Sequence, residues 1–184
     1  MVSSEVRESG VRVGFEIVDV KSYPYPLENS LVIAARPRSA EQILPLDEQD
    51  RVKEIGRGLD YLASFTSEKE FYHQVLEKYR HQSGKIAMFG AGHLACAFVN
   101  LLSLKDYIEC ILDDDPNRRG RFMPGSQLPI KSSAALDDPD IHLCLLSVNP
   151  LNEDKVVAKQ QRFADRGGQF MSIFPKSKYA VRNR

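Results

Sequence analysis

From Lys85 onward, short apolar runs alternate with segments in which apolar residues recur at helical spacing. The pattern predicts strands at 85–90, 108–112, 142–148 and 169–174, helices at 92–103 and 152–166, and a shorter helix near 132–136. Such alternation builds a parallel sheet with right-handed crossovers. Upstream, Phe15–Val20 and Leu31–Ala35 are β-rich runs joined by a Pro/Tyr/Asn-containing connection, a plausible antiparallel pair. Two strands alone are marginal in water, so this ribbon needs something to pack on.

Between ribbon and sheet, Val52, Ile55, Leu59 and Leu62 follow the i, i+3, i+7, i+10 spacing of a helix face. Gly56 and Gly58 predict that this helix is weak or broken. Ser67 and Glu70 form a capping-box pattern, which starts a second helix running to about Arg80 and burying Phe71, Val75, Leu76 and Tyr79. The fold class is therefore α/β: a small Rossmann-like parallel sheet with flanking helices, preceded by a β-ribbon and two helices. It divides into a ribbon in 1–40, a helical linker in 41–83, a Rossmann-like domain in 84–175 and a frayed basic tail in 176–184.

Charge changes this picture by exclusion. The 184 residues carry 25 basic and 25 acidic side chains, so nothing suggests the broad positive surface that binds nucleic acid. The opening MVSSEVRESG lacks a signal-type apolar core and no run approaches a membrane span, which points to a cytoplasmic protein without membrane attachment. Cys96, Cys110 and Cys144 lie in apolar patterns without C-x-x-C or metal-ligand spacing, and read as buried free thiols. No metal site is expected.

The candidate chemistry begins at KIAMFGAGHLACAFVNLLS, residues 85–103. A strand reaches Gly90, Gly92 and Ala95 and passes at once into a helix. Such a turn can bring backbone N–H groups and a helix N-terminus to a phosphate, although G-x-G-x-x-A equally permits close helix–sheet packing. His93 follows the turn and could face a phosphate, but has no visible partner. The next strand ends in Asp113, Asp114 and Asp115, about 20 positions on, where dinucleotide-binding folds place a ribose-binding carboxylate. Asp113 is the first choice among them, and an acidic turn before Pro116 is the plainer alternative.

Arg118, Arg119 and Arg121 then sit in a long connection, and Arg118 and Arg121 are candidates for phosphate recognition against a solvated basic loop. Ser147 and Asn149 end the third strand on the edge where open α/β sheets bind ligands, though Asn-Pro is also ordinary turn chemistry. His73, His81 and His142 read as surface residues. No Ser-His-Asp set assembles, and no catalytic residue is assigned.

The segment Lys85–Pro175 resembles the C-terminal domain of the S-adenosylmethionine-dependent sugar C-methyltransferases, which methylate a carbon of a nucleotide-linked keto-deoxysugar. The resemblance rests on LDDDPNRRGRFMPGSQLPI and SVNP. GFEIVDV followed by SLVIAARP is similar to the closing hairpin of a class I methyltransferase domain. The chain departs from the family at Leu94, Ala95 and Cys96, where a Lys-Gly-Asn step is common, leaving the backbone donors of the turn as the surviving resource.

The resemblance implies a module that recognises a nucleotide-linked sugar or scaffolds a sugar C-methyltransferase, with Gly90, Gly92, His93, Asp113, Arg118, Arg121 and Asn149 toward the ligand. The family's zinc region, cofactor loop and acid/base residues lie upstream of this segment. S-adenosylmethionine is thus implied for a partner or a further domain, not for this chain. A methyltransferase partner, or a homodimer through residues 11–36, would cover the ribbon. The rival readings are an NAD(P)-binding Rossmann protein and a non-binding assembly domain.

Overall fold

The computed structural model describes residues 13–24, 29–38 and 48–181. The chain forms two compact units, residues 1–61 and 62–184. In the first, β1 (Phe15–Pro24) pairs antiparallel with β2 (Asn29–Pro37). Both strands are longer than their apolar runs, because the ladder continues through Tyr23 opposite Ser30. Glu16 and Arg36 face each other across the ladder and form a two-point ion pair, Arg36 Nε and Nη2 donating to the carboxylate at 2.7 and 3.0 Å. Phe15, Val18, Tyr23, Leu31, Val32 and Ile33 stay exposed, so the ribbon buries little of its apolar surface. Residues 11–12 and 25–28 of the expected ribbon lie outside the described residues.

Helix α1 (Glu48–Ser83) is one continuous helix of 36 residues, not the two expected. Gly56 and Gly58 each weaken a helix by about 1 kcal/mol without forbidding it, and Arg51–Glu48 and Arg57–Glu54 pairs support the same turns. Ser67 is no N-cap: its hydroxyl donates back to the Ser64 carbonyl at 2.9 Å, the local bond a serine makes inside a helix.

The second unit holds β3 (Lys85–Phe89), α2 (His93–Leu101), β4 (Ile108–Leu112), β5 (Ile130–Lys131), β6 (Ile141–Leu146), α3 (Pro150–Lys159), α4 (Gln161–Asp165) and β7 (Gln169–Ser172). Its sheet is parallel throughout, in the order β5-β4-β3-β6-β7. It is a Rossmann-like α/β fold. Strand residues alternate between two apolar layers. Ile86, Met88, Ile111 and Leu145 pack with Tyr72 and Leu76 of α1 and Ala95 and Val99 of α2. Ala87, Leu112, Cys144 and Leu146 pack on the other face with Leu136, Phe163, Val156 and Val157.

Several expected boundaries change. The two-residue β5 joins the sheet edge within what reads as a loop. The expected 152–166 helix divides at Gln160, and the short helix is a 3-10 turn, Ser133–Asp137. The segment after 176 is no frayed tail as far as Val181: Ala180 and Val181 are buried, and Ala180 bridges Ser172. Buried Glu153 of α3 accepts the hydroxyls of Ser172 and Ser177 and fastens this return.

Candidate functional site

β4 and β5 lie on one side of β3, while β6 and β7 lie on the other. The helices that follow β3 and β6 therefore leave on opposite faces, and a crevice opens between the carboxyl ends of those two strands, where such sheets bind ligands. The residues at this edge are Gly90–His93 after β3, Asp113–Asp115 after β4 and Ser147–Asn149 after β6.

The two glycines of the turn have different reasons. Gly90 sits at φ +109°, and a Cβ there would lie 2.9 Å from Ser147 Oγ and 3.0 Å from Val148 Cγ1, so the fold itself demands glycine. Ser147 fixes that approach: its buried hydroxyl lies 2.7 Å from the Phe89 carbonyl and 2.9 Å from that of Gly90. Gly92 caps α2 with an ordinary backbone, φ −90° and ψ 179°, and no side chain caps the helix. A Cβ at Gly92 would meet nothing within 4 Å. No neighbouring atom requires this glycine, although glycine is a better N-cap than alanine.

Asp113 holds the turn from the neighbouring strand. Its Oδ2 accepts the Ala91 N–H at 3.0 Å and Arg118 Nη1 at 3.0 Å, while Oδ1 accepts the Asp115 N–H at 3.0 Å. Arg118 also donates to the Ala91 carbonyl at 3.3 Å and lies 3.6 Å from Asp115 Oδ2. Burial pushes the Asp113 carboxyl up, but the Asp115 and Ala91 amides and the Arg118 guanidinium outweigh it, leaving the pKa below its ordinary value. A carboxylate offers about four lone pairs, so after three contacts it retains room for one more donor.

Gly90, Gly92, Asp113 and Arg118 are thus brought together around Ala91. His93 begins α2, exposed beside them. Asn149 caps α3 through Oδ1, which accepts the Leu151 N–H at 2.9 Å, and Pro150 follows it. Its amide NH₂ can still donate. Arg121 is exposed on the far limb of the loop, where its carbonyl accepts the Ile130 N–H at 2.8 Å.

Three partnerships escaped the sequence reading. Asp114 receives the Ser133 N–H at 3.0 Å and hydroxyl at 3.1 Å, which spends this acid on the 3-10 turn. Lys155 and Lys159 line a cleft of about 310 Å³ with Phe89 and Asp113–Asp115; their spacing of four in a helix was the available signal. His73, expected at the surface, is half-buried, its ring linking the Leu102 carbonyl at 2.9 Å to the Tyr107 hydroxyl at 3.1 Å.

Cys96 is only half-buried, against the sequence expectation, whereas Cys110 and Cys144 are buried and burial pushes both thiols up. A second cleft, about 290 Å³, lies at the amino edge of the strands, where Lys85 pairs with Asp140 at 3.0 Å. Among the described residues no helix is long and apolar enough to cross a membrane.

The strand order, the glycine turn at its reversal point and an aspartate ending the next strand define a Rossmann-like α/β domain. Residues 33–175 match the family model described as C-methyltransferase C-terminal domain, and the chain belongs to that family. No curated protein matches it. Among solved structures, it is similar to RSP in a complex with β-NAD+ and operator DNA, at 15% identity and a TM-score of 0.40. That alignment covers 61% of this chain and 55% of the other.

Proposed function

We propose that this C-methyltransferase C-terminal-type domain recognises a nucleotide-linked sugar at the carboxyl edge of its sheet and holds it for a methyltransferase domain that supplies S-adenosylmethionine. Gly92 carries the reading: it is a glycine that no neighbouring atom requires, placed at the start of α2, where no side chain caps the helix and a phosphate could approach the backbone. Asp113 presents the turn and keeps one acceptor for a hydroxyl. Arg118 balances its charge, and His93 and the Asn149 amide offer donors at the rim. Arg121 extends the basic loop toward the outer part of the ligand.

S-adenosylmethionine is assigned elsewhere because three contacts already occupy Asp113, which leaves too little for a bidentate grip on its ribose diol. The cofactor would supply the methyl group; this chain would orient the acceptor. The ribbon suits the partner side of the arrangement, since its exposed Phe15, Val18 and Leu31 need a sheet or domain to cover them. The setting that the family resemblance suggests is deoxysugar biosynthesis in the cytoplasm.

Calorimetric titration of the purified chain with dTDP-, GDP- and UDP-sugars, S-adenosylmethionine and NAD(H) tests the proposal. Saturable binding of a sugar nucleotide is expected. Binding of NAD(H) alone would replace it with the dinucleotide reading, and silence from a folded protein would leave an assembly role.

A further inference from the structure

The first four turns of α1 carry an apolar stripe that stays exposed. Val52, Ile55, Leu59 and Leu62 are each more than half exposed, although their spacing is that of a packed helix face. The spacing is three, four and three, the a/d rhythm of a helix pair, and it reads the same in both directions. The stripe has its midpoint at the level of Arg57, which lies on the opposite face and pairs with Glu54 at 2.7 Å.

Gly56 and Gly58 flank that midpoint, one on each side of the stripe. A Cβ at either would meet nothing within 4 Å. Both weaken the helix relative to alanine, and no turn or positive φ calls for them. A second helix crossing at the midpoint does call for them, because side chains on both flanks would hold the backbones apart.

We propose that the N-terminal part of α1 pairs antiparallel with the same segment of a second copy of this chain, around a two-fold axis at the level of Arg57. A second copy fits the stripe residue for residue, because the spacing reads the same in both directions. Laid antiparallel, it places Leu62 against Val52 and Leu59 against Ile55, and sets the two pairs of glycines across from one another. The interface is isologous, as a two-fold pair requires. Covering these side chains and their flanks on two copies removes on the order of 1,000 Å² from water, the lower bound for a specific interface. The pairing is independent of ligand recognition at the sheet edge.

Sedimentation velocity of the full chain, from low micromolar to submillimolar concentration, is expected to show a monomer–dimer equilibrium. Leu59→Ser should weaken it at least tenfold. The Gly56→Ala/Gly58→Ala pair should also weaken it at least tenfold while helicity by circular dichroism holds or rises, a divergence that a folding defect would not produce. For register, Val52→Cys and Leu62→Cys chains should form an interchain disulfide when mixed, beyond any given by the unaltered chain, and neither should when alone. A monomer across the whole range overturns the proposal. So does a dimer indifferent to both sets of substitutions, a dimer lost only on Phe15→Ser in the ribbon, or a disulfide formed by Val52→Cys alone.

Discussion

The carboxylate of Asp113 lies 3.0 Å from the backbone nitrogen of Ala91, so the end of β4 holds the turn that leaves β3. The acid that sequence spacing singles out as a ligand group is thereby also a brace. Arg118, 3.0 Å from the same oxygen, completes it. The two roles separate experimentally.

Replacing Asp113 by Asn removes the charge that Arg118 and two amides surround, at an expected cost of about 1–3 kcal/mol near neutral pH. The pH dependence follows from the folded-state pKa lying below its ordinary 3.8. As pH falls, the unfolded chain takes up the proton first. The contribution of Asp113 is therefore full above about pH 5 and is lost as pH drops through the folded pKa. Thermal melts between those limits should show a shallower acid decline in Asp113→Asn than in the unaltered chain.

The two glycines give different signatures. Gly90→Ala forces a Cβ within 3.0 Å of Ser147 and Val148 at a φ of +109°, and should destabilise by about 1–3 kcal/mol. Gly92→Ala should cost less, about 1 kcal/mol or below, since the backbone is ordinary and the space open and only the poorer N-cap is felt. Its larger effect should fall on sugar-nucleotide binding, and denaturation beside titration of both variants checks the contrast.

Asn149 has two separable ends. Asn149→Asp keeps the oxygen that caps α3 and should hold stability within about 0.5 kcal/mol, whereas Asn149→Ala should lose about 1 kcal/mol. If the amide NH₂ donates to an anionic ligand, Asn149→Asp weakens binding roughly tenfold without unfolding the chain. Equal binding by the two proteins would confine this residue to its cap.

Glu153 is buried with the hydroxyls of Ser172 and Ser177 on its two oxygens. Glu153→Ala should cost about 1–3 kcal/mol and open the return between Ile173 and Val181 to protease, because two serines lose their partner. Glu153→Gln should retain part of the bonding and lose less. Denaturant melts and limited proteolysis measure both effects.

The parallel sheet was legible because its buried strands are nearly continuous apolar runs: 108–112 was read at its observed limits, and 85–90 exceeded β3 by one residue. β5 was not, since two residues carry no period and Ile130 joins the sheet through long-range pairing with Ile111. The glycines of α1 suggested a break, and Ser67 a cap, because local propensity sees neither the continuity of a long helix nor the hydroxyl turning back to Ser64.

At the site, Gly90, Gly92 and Asp113 were visible as a spacing. The contacts that divide their roles were not, because the Cβ clash at Gly90 comes from Ser147 and Val148, more than fifty residues away. Likewise nothing in sequence order joins Asp114 to Ser133.

The most direct test of the central claim is amide chemical-shift mapping of the isotope-labelled chain titrated with the sugar nucleotide that binds in the calorimetric panel. Recognition at the carboxyl edge predicts saturable shifts at Ala91, Gly92, His93 and Leu94, with smaller ones at Asp115 and Arg118, that vanish in Gly92→Val while the rest of the spectrum is kept. Shifts confined to the amino edge around Lys85 and His142, or none from a folded protein, would contradict it.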